Sequence, residues 1–226
     1  MIKYVLFDVD DTIIDWRKSA EICFQRLSDK GGWGFSGEEI YDVFIATTKP
    51  MWEKVDKGEL TGRELRKMRW PLVFKNLGLE VDGAENYEEV FREELGGCAV
   101  PIENAKEVLE ELSKKYPLGI ASNAYFKQQS ERLELLDFKK YFTYFFTSMD
   151  IGTEKPHREF YEHCLKEMGN PDPASVIMIG DSPTADVDGS KNMGFRACFF
   201  NKRGLNPDDV NADYIINDLK ELLDIL

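Results

Sequence analysis

Asp8 and Asp10 stand two residues apart at the end of an apolar run, in the stretch Ile2-Lys3-Tyr4-Val5-Leu6-Phe7-Asp8-Val9-Asp10-Asp11-Thr12. Side chains alternate along an extended chain, so both carboxylates point to the same side. Like charges that close repel each other, and either a cation or a raised pKa on one of them relieves the repulsion. The pair suits a nucleophile beside an acid/base, with a hard metal ion over both. A surface turn after a strand has the same composition, and these residues alone do not separate the two readings.

Other apolar runs end in the same way. Leu118-Gly119-Ile120-Ala121 stops at Ser122-Asn123, and Val176-Ile177-Met178-Ile179 stops at Gly180-Asp181-Ser182. Taken singly, Ser122 reads as a helix N-cap, Lys155 before Pro156 as a solvated lysine, and Asp181 after Gly180 as turn chemistry. Taken together, Asp8, Ser122 and Asp181 are three strand ends delivering polar groups to one crevice, which is where parallel sheets bind ligands.

The elements that must position these groups fall into two kinds. From Asp15 to about Gly96 the chain reads as successive helices. Trp16 to Leu27 has apolar residues at helical spacing, Ser36-Gly37-Glu38-Glu39 is a capped start for a helix through Ile45, and Thr61-Gly62-Arg63-Glu64 repeats that signature before Leu65 to Leu77, closed by Gly78. A further short helix runs from Asn86 or Tyr87 through Leu95. All four tryptophans, Trp16, Trp33, Trp52 and Trp70, lie in this segment, where aromatics pack helices or line a small-molecule pocket.

Beyond Pro101 the pattern alternates. Helices are expected at Glu103 to Tyr116, Phe126 to Leu136, Arg158 to Met168, Ala185 to Met193 and the C-terminus. Strands are expected at Leu118 to Ala121, Tyr144 to Thr147, Val176 to Ile179, Arg196 to Phe200 and Tyr214 to Ile216. Repeated βα units imply a parallel sheet covered on both faces.

Composition bounds the partners. A chain of 226 residues with 42% hydrophobic content supports one large domain or a domain with an insertion. Lys+Arg 29 against Asp+Glu 42 gives a net charge of −13, which argues against a nucleic-acid polymer or an anionic membrane surface as partner. A small anionic substrate remains compatible, because a local lysine or metal ion outweighs the global field. No apolar run is long enough to span a bilayer, and Met1 leads straight into the first strand, so no signal peptide is expected. Cys23, Cys98, Cys164 and Cys198 form no C-x-x-C pair, and His157 and His163 are too few for a zinc site; buried thiols in a reducing cytoplasm are the expectation.

The four separated motifs resemble those of the haloacid dehalogenase (HAD) superfamily, in order and over the whole chain. Asp8-Val9-Asp10-Asp11-Thr12 matches D-x-D-x-T, Ser122 the second motif, Lys155 in Gly152-Thr153-Glu154-Lys155-Pro156 the third, and Gly180-Asp181-Ser182-Pro183-Thr184-Ala185-Asp186 the G-D-x-x-x-x-D form of the fourth. The resemblance implies a Rossmann-like α/β core, residues 1–14 and 101–226, with an inserted all-helical cap at 15–100. It implies Asp8 as the nucleophile that forms an aspartyl phosphate, and Asp10 as acid then base. Ser122, with Asn123 beside it, and Lys155 would hold the phosphate. Magnesium would sit on the Asp8 carboxylate, the Asp10 main-chain carbonyl and Asp181. Thr12 completes the first motif as a supporting residue, and Asp186 would orient Lys155 or a metal-bound water.

The function so implied is a magnesium-dependent phosphomonoester hydrolase acting on a small phosphorylated metabolite, a nucleotide or sugar phosphate. Dehalogenases of this fold lack the carboxylate equivalent to Asp10. Sugar-phosphate mutases share the motifs but show a His after the first motif and a G-x-S-R stretch in the cap; here Asp15-Trp16-Arg17-Lys18 stands in that place. A binding module that has lost catalysis would lack a motif residue, and none is missing. Within the superfamily, Ser122-Asn123-Ala124, Gln128 or Gln129 through Leu133, Gly152 to Pro156 and Phe199-Phe200-Asn201 are similar to the 5′-nucleotidase branch, beside which stands the phosphoglycolate phosphatase-like branch. Ala124 and Ser190 depart from that pattern. In the cap, the helix from Thr61 to Leu77 sets Arg63, Arg66, Lys67 and Arg69 beside Trp70. A cation beside an aromatic suits a sugar or base, so Arg69 and Trp70 are the expected substrate-facing pair, while a solvated helix face would carry the same charges.

Overall fold

The computed structural model describes all residues other than Asp56, and the chain divides into two compact units, residues 1–15 with 100–226, and residues 16–99.

The first unit is built on a six-stranded parallel sheet. Its strands are β1 (Tyr4–Phe7), β2 (Leu118–Ser122), β3 (Phe142–Thr147), β4 (Val176–Gly180), β5 (Arg196–Phe200) and β6 (Tyr214–Ile216), in the spatial order β3-β2-β1-β4-β5-β6. That order reverses between β1 and β4, the topological switch point at which such sheets bind ligands. Phe7 pairs with Ile120 on one side and Ile179 on the other, and the main-chain NH of Asp8 donates to the Ile179 carbonyl at 2.8 Å. Register therefore brings the residues after β1, β2 and β4 level at one edge. Val5, Leu6, Phe7, Ile120, Ile177 and Ile179 have no exposed surface, as a sheet covered on both faces requires.

The second unit is helical: α1 (Trp16–Gly31), α2 (Gly37–Asp56), α3 (Gly62–Leu77) and α4 (Tyr87–Gly96); helices α5 (Ala105–Ser113), α6 (Phe126–Leu135) and α7 (Ser148–Ile151) follow in the first unit. Both expected capping boxes are present. Ser36 accepts from the Glu39 NH and Thr61 from the Glu64 NH, with each glutamate returning to its cap residue. Gly78 ends α3 at φ 70°, a left-handed conformation that costs glycine little. Phe24, Phe44, Trp70, Phe74 and Phe91 form the buried centre.

Several boundaries differ from the sequence reading. Helix α2 runs on past Ile45 and through Pro50, because Met51 and Val55 bury against Leu65 and that packing offsets the lost amide donor of proline. The helix expected from Ala185 to Met193 is instead a π-helical turn, Pro183–Asp188, followed by a short α-helix, Gly189–Asn192. Strand β3 starts at Phe142 rather than Tyr144.

Candidate active site

The loop after β1 folds tightly back on itself. The Val9 carbonyl accepts from the NH groups of Thr12, Ile13 and Ile14, while Asp11 takes φ 62°, a left-handed region that Asp tolerates. None of these loop bonds uses the Asp10 carbonyl. Thr12 is fully buried and its Oγ1 has no hydrogen-bond partner.

Lys155 lies at the centre of the site. It follows α7 (Ser148–Ile151), itself placed by β3, and its ammonium donates to Asp8 Oδ1 at 2.8 Å, Asp186 Oδ1 at 2.6 Å and the Ala121 carbonyl at 2.6 Å. Three acceptors use all three of its protons. Burial works against the charged form, but the Asp186 and Asp8 carboxylates outweigh it and hold the Lys155 pKa above its ordinary value. Its backbone is held as well: Asn123 Nδ2 donates to the Lys155 carbonyl and Asn123 Oδ1 accepts from the Lys155 NH, both at 2.8 Å. The Asn123 side chain thereby helps to place Lys155.

Asp186 arrives from the π-helical turn, with Oδ2 accepting from the Ser182 NH at 3.0 Å. A Cβ on Gly180 would lie 2.1 Å from that oxygen, so only glycine lets the carboxylate come this close to β4. Asp181, next in the chain, accepts from Arg203 at 2.5 Å through Oδ2. Carboxylate oxygens of Asp8, Asp181 and Asp186 lie within 4.8 Å of one another. Burial pushes the Asp8 carboxyl well up, with Lys155 opposing and Asp186 and Asp181 adding to the rise. Burial also pushes Asp181 up to about 7 against the pull of Arg203.

Both oxygens of Asp186 are taken, whereas among the described residues Asp8 Oδ2 and Asp181 Oδ1 make no hydrogen bond. The clustered carboxylates of Asp8 and Asp181, each with an uncommitted oxygen, and the Asp10 main-chain carbonyl of the same loop offer oxygen donors of the kind that suits a hard cation such as magnesium. Asp186 serves Lys155 instead.

Asp10 extends from the same loop with its side chain 30% exposed. Arg132 Nη1 donates to its Oδ1 at 2.5 Å and Gln129 Nε2 to its Oδ2 at 2.8 Å. Ser122, ending β2, is buried and accepts from the same Gln129 nitrogen at 2.9 Å. The first unit thus gathers Asp8, Asp10, Thr12, Ser122, Asn123, Lys155, Asp181 and Asp186 at one edge of its sheet.

The haloacid dehalogenase-like hydrolase family model matches residues 5–200. The chain belongs to that family. It is similar to the pyrimidine 5′-nucleotidase YjjG of Escherichia coli, 26% identical over 99% of this chain and 97% of the relative, and to the pyrimidine 5′-nucleotidase PynA of Streptococcus pneumoniae, 27% identical over 99% and 94%. Among solved structures it is similar to the magnesium-bound HAD-hydrolase YfnB of Bacillus subtilis, with a TM-score of 0.91 at 26% identity over 100% of this chain and 98% of that one. The chain is a HAD-type phosphatase.

The expected substrate-facing pair in the helical unit needs correction. Arg69 is buried, gripping both oxygens of Glu88 at 2.7 Å and lying over the rings of Phe44 and Phe91. Trp70 is 1% exposed and packs on Phe24, Phe44, Phe74, Tyr87 and Phe91. Burial of the aromatic face decided their direction, and Glu88 on α4 satisfies the charge that this buries. Sequence reasoning in turn missed Arg132, Gln129 and Arg203 as groups that hold the site. The one signal for the first two was an arginine and a glutamine three residues apart in a helix of the second-motif region.

Proposed function

We propose that this phosphatase is a magnesium-dependent phosphomonoesterase that works through a phosphorylated Asp8 on a small phosphorylated metabolite. The observation that carries the reading is the contrast among the buried carboxylates: Lys155 and Ser182 fix Asp186, while Asp8 and Asp181 each keep one oxygen uncommitted.

In this reading Asp8 attacks phosphorus as the ester P–O bond breaks, and Asp10 gives a proton to the leaving oxygen. Water then attacks the aspartyl phosphate, Asp10 takes its proton, and inorganic phosphate leaves with Asp8 restored. Lys155 keeps Asp8 in place and sets a positive charge beside the incoming phosphate; Ser122 offers a hydroxyl to a phosphate oxygen. Asp8, Asp181 and the Asp10 main-chain carbonyl are the groups that would hold magnesium. The bound ion would supply the positive charge that keeps both buried carboxyls ionised and balances the phosphate.

The substrate class is a nucleotide or sugar monophosphate. The names of the YjjG and PynA relatives, and the Ser122-Asn123, Gln129 and Asn201 resemblances, support pyrimidine nucleotides as the first to assay. Release of phosphate from p-nitrophenyl phosphate, with magnesium and with EDTA, tests the reaction. Activity in magnesium that EDTA abolishes is the expected result; equal activity in both would contradict the cation's role.

A further inference from the structure

Helix α6 (Phe126–Leu135) buries a polar face, and nothing in the mechanism above accounts for it. Gln129 and Arg132, one turn apart, both have no exposed surface. Burying an amide and a guanidinium costs free energy unless every group finds a partner.

Several of their partners are the reaction's own groups. Arg132 Nη1 donates to Asp10 Oδ1 at 2.5 Å and to Gln129 Oε1 at 3.0 Å. Gln129 Nε2 donates to Asp10 Oδ2 at 2.8 Å and to Ser122 Oγ at 2.9 Å. Chemistry fixes the orientation of the amide. A guanidinium has only donors and a carboxylate accepts, so the Gln129 oxygen must face Arg132 and its nitrogen must face Asp10. That nitrogen has two protons, and Asp10 and Ser122 take one each. Ser122 Oγ therefore accepts from Gln129, which leaves its own proton for another acceptor.

We propose that Gln129, braced by Arg132, is a positioning residue that couples the acid/base to the phosphate-binding hydroxyl. It holds the plane of the Asp10 carboxylate from one oxygen while Arg132 holds the other. With its second proton it turns the Ser122 hydroxyl outward, toward a phosphate oxygen. Gln129 and Arg132 act in this role through Asp10 and Ser122 rather than on the substrate. The inference rests on the phosphatase mechanism proposed above.

A misplaced acid should matter most where the leaving oxygen most needs a proton. Phenyl phosphate and p-nitrophenyl phosphate are close in shape, but the phenyl ester has the more basic leaving oxygen. The test compares kcat/KM for the two esters, in magnesium, between the wild type and Gln129→Leu, with thermal unfolding measured alongside. The expected result is a folded variant whose kcat/KM on phenyl phosphate falls about 10- to 100-fold further than on p-nitrophenyl phosphate. Its inhibition constant for inorganic phosphate should also rise, because the Ser122 proton is no longer directed. Equal losses on both esters would overturn the inference and leave Gln129 a packing residue. Should Gln129→Leu not fold, Arg132→Lys is judged on the same ratio, and an unchanged ratio there overturns the inference. A wild type inactive on both esters contradicts the phosphatase mechanism itself and takes this inference with it. An active wild type with an unchanged variant ratio overturns only the coupling.

Discussion

The two units each bury charge, and they do so differently. In the helical unit Arg69 and Glu88 form a bidentate pair, two nitrogens on two oxygens, with the guanidinium over aromatic rings. In the sheet unit three carboxylates crowd together, two cations partly pair them, and two oxygens stay uncommitted. A carboxylate with both oxygens held by one guanidinium serves to hold a fold together. One with an oxygen to spare is poised to bind something, at a cost in desolvation that raises the pKa of Asp8 and Asp181.

The sharpest way to break that contrast is to neutralise one member on each side. Asp8→Asn should lower turnover by a factor on the order of 10⁴ or more, since an amide cannot form the acyl phosphate. Its melting temperature in EDTA should stay near that of wild type, because an amide oxygen of the same shape still accepts from Lys155 and the crowding of three carboxylates is relieved. Activity near wild type would remove Asp8 from the reaction. Arg69→Met should do the reverse, costing about 3–5 kcal/mol of stability by leaving the part-buried Glu88 carboxylate without its cation. Glu88→Gln added to it should recover part of that loss. Chemical denaturation of the two variants measures both, and an Arg69→Met protein as stable as wild type would show that the pair is not structural.

A third expectation concerns pH. The folded Asp181 carboxyl titrates near 7, above its ordinary value of 3.8, so the folded state binds a proton that the unfolded chain has lost. Its contribution to stability is full below about pH 4 and is lost as pH rises to 7. In EDTA the wild type should therefore lose stability relative to Asp181→Asn across that window, by a few kcal/mol, and added magnesium should restore it. A pH-independent difference between the two would place the titration elsewhere. The smallest effect belongs to the caps: Thr61→Ala should cost about 0.5–2 kcal/mol in urea denaturation, with kcat unchanged. A larger loss would mean that Thr61 does more than accept from Glu64.

What could be read from the sequence followed a physical rule. Asp8, Ser122 and Asp181 were legible because each ends an apolar run, and a parallel sheet sends such ends to one edge. Lys155 and Asp186 were legible only through the spacing of the motifs. Gln129 and Arg132 were not, because amphipathic periodicity assigns polar residues to solvent, and α6 turns part of its polar face inward. Arg69 and Trp70 failed for the complementary reason. A cation beside an aromatic looks the same facing a ligand or a core, and Glu88, 19 residues further on in another helix, decides which. The π-helical turn at Pro183–Asp188 was read as ordinary helix, since helical spacing does not reveal the wider turn.

The proposed reaction turns on Asp8 as the nucleophile that carries the phosphate. Quenching the enzyme during turnover of a phosphate-labelled monoester and mapping the label onto peptides tests it directly. Phosphate is expected on the peptide containing Asp8, labile to hydroxylamine as an acyl phosphate is, with no label in Asp8→Asn. A wild type that turns over without ever carrying the label, or an Asp8→Asn protein that carries it, would contradict the account.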